Sequence, residues 1–160
     1  MSATSIDFYH SPFGIICMRA SGGALDGLSF VSHAGLKVVL ESDSEVFRQT
    51  AAWLHCYFDG KAPQFLPPLR LVASPFRLRV WRLLLGLGWG KILSYGDLGR
   101  LARPGASAAR AVGGALGANP IVLILPCHRV IASSGRLGGY SSGLDLKAKL
   151  LEFEGVSLRI

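Results

Sequence analysis

The feature that most constrains this chain is an apolar run between Pro120 and Pro126, followed directly by Cys127-His128-Arg129. The five aliphatic residues between the prolines are too few for a helix and predict a buried extended segment. Pro126 has no backbone N–H, so regular strand pairing is expected to end there. The chain therefore leaves the core where it presents a thiol beside an imidazole, a pairing typical of an activated nucleophile.

This pair imposes a geometric condition. Neighbouring side chains in a regular strand point to opposite faces. Cys127 and His128 can therefore cooperate only if the backbone turns here or if a water bridges them. For an isolated pair, a small buried cysteine followed by a surface histidine and arginine is the more ordinary interpretation.

Composition excludes several classes of protein. Of the 160 residues, half are hydrophobic and 17% are charged, which predicts a folded domain and not a disordered chain. The apolar runs are far shorter than the about 20 residues of a membrane span, and Met1 to His10 lacks the pattern of a secretory signal. We therefore expect a cytosolic protein with no membrane partner. Three widely spaced cysteines predict no zinc site.

The charge of the chain is strongly asymmetric. Residues 1–70 hold five Lys/Arg and six Asp/Glu, a net of −1, whereas residues 71–160 hold twelve Lys/Arg and four Asp/Glu, a net of +8. A basic region beside a nearly neutral one favours a polyanion partner, most simply nucleic acid. The alternative is a generally basic protein without such a partner.

The first half of the chain predicts a small antiparallel sheet followed by a helix. Strand patterns at 6–9, 13–19 and 28–31 are separated by Ser-Pro and glycine turns. Helical spacing then begins near Ser42 or Ser44 and ends near Gly60. A proline-rich connector at 63–68 separates this part from the rest. The predicted domains are therefore 1–68 and 74–160.

The second half is predicted to be mostly helical. Ser74-Pro75 and Ser94 are helix N-caps by their pattern, the latter within a capping box that includes Asp97. Ser107 is expected to cap a further short helix, whose one long side chain is Arg110. Two short helices across a tight turn resemble a helix-turn-helix. A tightly packed helix pair with one exposed arginine is the alternative.

The last segment contains a glycine-rich loop and a final helix. The loop at 138–143 includes Tyr140 and Ser141 but no Walker motif, and the helix is predicted from about Asp145 to Glu154. Glu154 thus lies at a helix C-terminus, where the helix dipole disfavours negative charge. We expect either an exposed carboxylate or a positive partner, such as a histidine, facing it.

Taken together, these motifs resemble the O6-alkylguanine-DNA alkyltransferases, also called methylated-DNA–protein-cysteine methyltransferases. Pro126-Cys127-His128-Arg129-Val130 matches the active-site signature of that family. Motifs in the family order flank it: Ser74-Pro75-Phe76, Val80-Trp81, Ser94-Tyr95, Arg110-Ala111-Val112-Gly113, Asn119-Pro120, Gly139-Tyr140-Ser141 and Glu154-Gly155. The resemblance implies an α+β fold with a ribonuclease H-like N-terminal domain and a helix-turn-helix in the C-terminal domain.

The resemblance also implies roles. Cys127 would accept the alkyl group once, with His128 as base through a water, Glu154 orienting His128, and Asn119 holding the turn. Tyr95 would help rotate the nucleotide out of the duplex. DNA contacts are implied at Arg110, Tyr95, Ala109, Gly113 and Arg129, and pocket positions at Tyr140, Ser141, Val130 and Val122.

The expected partner is double-stranded DNA carrying O6-alkylguanine, bound by a monomer near the nucleoid, with neither cofactor nor metal. Two positions depart from the family pattern. The turn at 103–107 is one residue longer than in familiar members, and Val122 stands where some relatives have a second proline. Two other functions remain as alternatives: a module that binds alkylated DNA without reacting, and a cysteine hydrolase.

Overall fold

The structure, a computed structural model, describes residues 3–158. The chain forms a mixed α/β protein with a three-stranded antiparallel sheet and five helices, divided into two compact units, Met1–Leu71 and Val72–Ile160.

The first unit is built on the three-stranded sheet. Strands β1 (Thr4–Ser11), β2 (Gly14–Ser21) and β3 (Ala24–Val31) lie in that order, with Phe8 opposite Cys17 and Cys17 opposite Ser29. The strands are longer than their sequence patterns predict, because backbone pairing extends them into the polar turn residues.

Helix α1 (Glu41–Phe58) covers one face of this sheet. Its buried residues recur at helical spacing, among them Val46, Thr50, Leu54 and Tyr57. The helix begins slightly before the predicted serines. Its N-cap residue is Leu40, whose side chain makes no capping hydrogen bond. Gly60 follows the helix with a φ of 81°, a conformation that glycine adopts without steric cost.

A buried carboxylate ties the start of α1 to the sheet. Asp43 is fully buried and accepts hydrogen bonds from the Ser5 hydroxyl and from the backbone N–H of Gly23 at 2.7 Å. Buried charges are tolerated when they are hydrogen-bonded in this way. The contacts fix the packing of the helix against the strands.

The second unit contains the other four helices. Helix α2 (Pro75–Leu85) begins at Ser74, whose side chain accepts from the Arg77 N–H, and helix α3 (Tyr95–Ala102) begins at Ser94, whose side chain accepts from the Asp97 N–H. Both predicted N-caps are therefore confirmed. Helix α4 (Ala109–Gly117) begins at Ala108 without a side-chain cap, so the prediction of a cap at Ser107 is wrong.

Helices α2, α3 and α4 pack on one another. The indole N–H of Trp81 donates to the carbonyl of Ala115 at 2.9 Å, and Arg79 donates to the carbonyl of Ala102 at 2.9 Å. These bonds fasten α4 and the end of α3 to α2. The guanidinium of Arg103 lies 4.5 Å from the ring centre of Phe76, which anchors the start of the loop between α3 and α4.

The remaining elements surround residues 119–131. Strands β4 (Leu93–Ser94) and β5 (Val130–Ile131) pair in parallel, and helix α5 (Leu144–Phe153) closes the unit. The aliphatic run 121–125 is buried, as predicted, but it is not extended. It folds into a tight turn in which Leu125 N–H bonds to the carbonyl of Ile121 at 3.0 Å.

This turn requires an unusual backbone conformation. Leu123 has a φ of 72°, the left-handed region that costs a non-glycine residue about 1 kcal/mol or more. The backbone N–H and carbonyl groups of a buried turn need hydrogen-bond partners. Hydrophobic periodicity does not indicate which side chains will supply those partners. The prediction of an extended segment was wrong for this reason.

Candidate active site

Cys127 opens a short 3-10 turn, Cys127–Arg129, directly after Pro126. The residue is 6% exposed, and its backbone N–H bonds to the carbonyl of Leu125 at 2.7 Å. Because the backbone turns here, the alternation that separates neighbouring side chains in a strand does not apply to Cys127 and His128. The turn does not place the two groups in a direct hydrogen bond, since Nδ1 of His128 has no partner within residues 3–158, and a bridging water stays a prediction.

Asn119 fastens the aliphatic turn to the thiol. Its Nδ2 donates to the carbonyl of Leu125 at 2.8 Å and to Sγ of Cys127 at 3.1 Å. Its Oδ1 accepts from the backbone N–H of Ile121 at 2.9 Å. One amide side chain therefore satisfies two groups of the turn and orients the sulfur.

The thiol lies in surroundings that disfavour its ionisation. Burial raises the pKa of Cys127, and this effect exceeds the opposing effects of the Asn119 hydrogen bond and the charge of Lys147. Since a thiol and not a thiolate is then present at neutral pH, Cys127 needs a base before it can react as a nucleophile.

His128 supplies an imidazole in a fixed orientation. It is fully buried, and its Nε2 lies 2.7 Å from Oε1 of Glu154. Its Nδ1 is buried and has no hydrogen-bond partner among residues 3–158. Because the carboxylate can only accept at Nε2, we assign the Nε2–H tautomer, which leaves the Nδ1 lone pair available. Burial lowers the pKa of His128, against the opposing effect of Glu154.

Glu154 has the positive neighbours that its position at the end of α5 requires. The carboxylate accepts from His128, from Nε of Arg129 at 2.8 Å and from the backbone N–H of Gly90 at 3.2 Å. Burial would raise the pKa of Glu154, but the hydrogen bonds from His128 and Arg129 and the positive charge of Arg129 lower it to about 2. The group is therefore a carboxylate at any ordinary pH.

Arg129 is buried, although the sequence predicted a surface arginine that contacts DNA. This residue is 7% exposed, and its guanidinium forms a two-pronged ion pair with Glu154, with nitrogen–oxygen distances of 2.8 and 2.9 Å. A third nitrogen donates to the carbonyl of Leu87. The expectation of a surface side chain was wrong, because an arginine after a cysteine and a histidine is typical of a surface charge unless a buried carboxylate pairs with it.

The sequence analysis missed Lys147. This lysine is fully buried on α5, and its ammonium donates to the carbonyls of Val130 at 2.7 Å, Gly139 at 3.0 Å and Leu137. Burial lowers its pKa to about 8. A signal was present, because Lys147 precedes the buried Leu150 and Leu151 by three and four residues and so shares their helix face.

A cavity of about 340 Å³ opens onto the thiol. Five predicted site residues line it: Tyr95, Gly113, Cys127, Tyr140 and Ser141. Three further lining residues were not predicted: Leu116, Gly117 and Gly139. The Tyr140 hydroxyl is buried and has no hydrogen-bond partner within residues 3–158. Burial raises its pKa well above the usual value, so it is a hydrogen-bond donor available to a ligand.

Two predicted pocket residues lie elsewhere. Val122 and Val130 are 3% and 0% exposed and do not line the cavity. Both side chains are packed in the core, and their predicted roles in the substrate pocket stay predictions. Val130 contributes instead through its backbone, as a carbonyl for Lys147 and as a partner of Leu93 in the parallel strand pair.

Tyr95, the first residue of α3, forms one side of the cavity. Its hydroxyl is 3.5 Å from the carbonyl of Gly139, and the Lys147 ammonium lies 5.8 Å from its ring centre. Gly138 is tightly packed against it, since a Cβ there would lie 2.6 Å from the tyrosine ring. The glycine-rich loop can pass this close to Tyr95 only because position 138 has no side chain.

Arg110 and Ala109 are exposed at the start of α4. Ala109 borders a second cavity, which is formed by the beginning of α3 and the loop that precedes α4. Within residues 3–158, no group of three or more His, Cys, Asp and Glu residues is arranged to hold a metal ion. None of the helices in that range is both long and apolar enough to cross a membrane.

A buried thiol, an oriented base and an adjoining cavity define a protein that uses a cysteine nucleophile on a bound ligand. Comparison with known proteins shows the family to which such a protein belongs. The family described as "6-O-methylguanine DNA methyltransferase, DNA binding domain" matches residues 75–156. A methylated-DNA–protein-cysteine methyltransferase of Sulfolobus acidocaldarius is 39% identical over 150 residues, which cover 94% of this chain and 92% of that protein.

Solved structures agree with this match. The O6-methylguanine methyltransferase of Mycobacterium tuberculosis superposes with a TM-score of 0.80 at 36% identity, covering 95% of this chain and 93% of that one. The same organism's OGT in complex with DNA gives a TM-score of 0.78 at 37% identity, covering 92% and 90%. The chain belongs to the methylated-DNA–protein-cysteine methyltransferase family.

Proposed function

We propose that this protein repairs DNA by direct reversal, moving an alkyl group from O6 of guanine in duplex DNA to Cys127, once per molecule. The observation that carries the proposal is the position of Cys127. Its thiol lines a cavity, is held by Asn119, and adjoins the buried His128–Glu154 pair, all within the segment that matches the family.

The chemistry is a single displacement. The thiol proton passes through a water to Nδ1 of His128, which has no direct hydrogen-bond partner within residues 3–158, and the sulfur electron pair forms a bond to the alkyl carbon. The bond from that carbon to O6 breaks, and its electrons remain on the guanine, which then takes up a proton. The thioether left on Cys127 has no good leaving group, so the protein reacts once.

The lining of the cavity suits a nucleobase. At about 340 Å³ it lies at the lower end of the range for small-ligand sites, about 300–1,000 Å³. The Tyr95 and Tyr140 rings offer apolar surface, and the hydroxyls of Tyr95, Tyr140 and Ser141 offer polar contacts. A hydroxyl donor such as Tyr95 would stabilise negative charge as O6 becomes part of the leaving group.

A stacked base cannot enter such a cavity, so the nucleotide must leave the duplex. We propose that α3 and α4 form a helix-turn-helix that binds the minor groove, with Arg110 filling the vacated space. Its support is the exposure of Arg110, Ala109 and Gly113 on α4, together with the net charge of +8 over residues 71–160.

Three finer assignments belong to the same proposal. The first unit would be a ribonuclease H-like structural domain over residues 1–68, supported by its antiparallel sheet and single covering helix. Residues 74–160 would form the domain that binds DNA and accepts the alkyl group. The turn at 103–107, one residue longer than the family pattern, would set the angle between α3 and α4.

Intact-mass measurement after incubation with a duplex bearing one O6-methylguanine tests the reaction. We expect a gain of one methyl group per molecule, located on Cys127 by peptide mapping and absent from Cys127→Ala. Tight binding of the duplex by the unaltered protein without any gain in mass would refute transfer and leave a damage-binding module.

A second measurement tests the DNA contact. Arg110→Ala should slow transfer from duplex DNA while leaving the reaction with the free base, O6-methylguanine, unchanged. Arg48→Ala is the matched control, because it removes an exposed arginine from α1 in the first unit. Equal effects of the two variants on the duplex reaction would contradict a specific role for Arg110.

A further inference from the structure

Arg129 is positioned to act on the catalytic base, His128, through Glu154. Its Nε and Nη2 donate to Oε2 and Oε1 of Glu154 at 2.8 and 2.9 Å, a geometry in which two parallel hydrogen bonds fix both partners. Its remaining nitrogen donates to the carbonyl of Leu87, beyond the end of α2. The guanidinium is thereby immobilised between α2, the 3-10 turn and the end of α5.

The His128–Glu154 pair would behave differently without this arginine. A carboxylate 2.7 Å from a buried imidazole favours the imidazolium, because an opposite charge at hydrogen-bond distance stabilises the charged form. An imidazolium has protons on both nitrogens and cannot accept one from Cys127. The Glu154 carboxylate that orients His128 therefore also favours the protonated ring, which cannot act as a base.

Burial is the largest influence that lowers the pKa of His128, whereas Glu154 at the end of α5 raises it. Within residues 3–158, Glu154 is the anion in contact with the ring, and it is paired with Arg129 from the 3-10 turn. Lys147 adds a second buried cation from α5, while Cys127 and Tyr140 are neutral in their protonated forms. Both cations act on the imidazole in the direction that removes its proton.

We propose that Arg129 is a positioning residue for the transfer reaction: by binding both oxygens of Glu154, it lets that carboxylate orient His128 without converting the imidazole into an imidazolium. The ring then remains in the Nε2–H tautomer, and its Nδ1 remains able to accept the thiol proton. This inference rests on the proposed function, since it assigns a role within that reaction.

Single-turnover methyl transfer measured from pH 5 to pH 9 tests the inference. In Arg129→Met the acid limb of the rate profile should move to higher pH by about one unit or more, the usual effect of removing a close charge. The rate should recover at high pH. Arg129→Lys keeps the charge but not the two-pronged geometry, and its acid limb should stay near that of the unaltered protein.

The decisive variant combines Arg129→Met with Glu154→Gln. It removes both charges and keeps an oxygen that can accept from Nε2, so the acid limb should return toward its original pH. A role limited to packing predicts instead that Arg129→Met lowers the rate by one factor at every pH. That result, or a double variant whose acid limb matches that of Arg129→Met, would overturn the proposal.

A measurement on the unaltered protein covers the case in which the variants do not fold. Nitrogen-15 spectra of the four histidines, with His128 assigned by loss of its signals in His128→Gln, should show a neutral Nε2–H ring at pH 6. A histidine of ordinary pKa would be mostly charged at that pH, and an imidazolium there would overturn the inference. Failure of methyl transfer at every pH would refute the proposed function instead.

Discussion

Asn119 gives the most informative single perturbation, because one side chain satisfies the aliphatic turn and also holds the thiol. Asn119→Ala removes its bonds to Ile121 N–H, the Leu125 carbonyl and Cys127 Sγ. Ile121 and Leu125 are fully buried, so water does not readily replace the lost partners. The Leu125 carbonyl keeps its bond from the Cys127 N–H, so the Ile121 N–H is the group left unsatisfied. An unsatisfied buried backbone group costs about 1–3 kcal/mol, and we expect a loss of that size.

The same variant should also slow the reaction. The Asn119 hydrogen bond lowers the pKa of the Cys127 thiol against the larger effect of burial, so its removal raises that pKa. Each unit of pKa reduces the thiolate fraction about tenfold. We expect the single-turnover rate at neutral pH to fall, with a smaller loss at pH 9.

Urea denaturation and single-turnover transfer are the assays, and Cys127→Ala is the background that separates the two effects. In that background Asn119→Ala should lose only the stability due to the turn, since the sulfur acceptor is gone. If adding Asn119→Ala to Cys127→Ala changed the free energy of unfolding by less than about 0.5 kcal/mol, the range of ordinary surface substitutions, the reasoning would be refuted.

Three further predictions follow from the site. Burial lowers the pKa of Lys147 to about 8 from 10.5, so stability relative to Lys147→Met should rise as pH increases from 8 to 10.5; a constant difference in urea denaturation would contradict this. Gly138→Ala should cost more stability than Gly135→Ala, because both positions have positive φ but only the first new methyl group meets Tyr95; equal unfolding temperatures would exclude the clash. The pKa of Glu154 is lowered from 4.5 to about 2, so its contribution of up to about 3 kcal/mol should be present above pH 4.5 and lost toward pH 2. Acid titration of Glu154→Gln, followed by circular dichroism, should lack that step.

Local sequence patterns predicted the features that depend on neighbouring residues. The N-caps at Ser74 and Ser94 were confirmed because a cap is made within three residues of the chain. The helix ending before Gly60 depends in the same way on glycine's access to positive φ. The Cys127-His128 signature and its flanking motifs likewise identified the family, since they are readable without knowledge of the fold.

Predictions failed where distant residues determine the outcome. The aliphatic run was expected to be extended, but Asn119 satisfies a turn that includes a left-handed Leu123. Arg129 was expected at the surface, but it is buried in an ion pair with Glu154, 25 residues later in the chain. Such contacts join chain segments whose proximity no periodicity reports.

The sequence by itself thus determined which groups are available for chemistry: a thiol, an imidazole, a carboxylate and a basic second half. The tertiary structure decided the protonation states of these groups. It buries Lys147, pairs Arg129 with Glu154 and places the Asn119 amide in a hydrogen bond to the Cys127 sulfur. The physical reason is that ionisation and hydrogen bonding depend on solvent exclusion and on charges a few ångströms away. Those are properties of the folded environment and not of residue order.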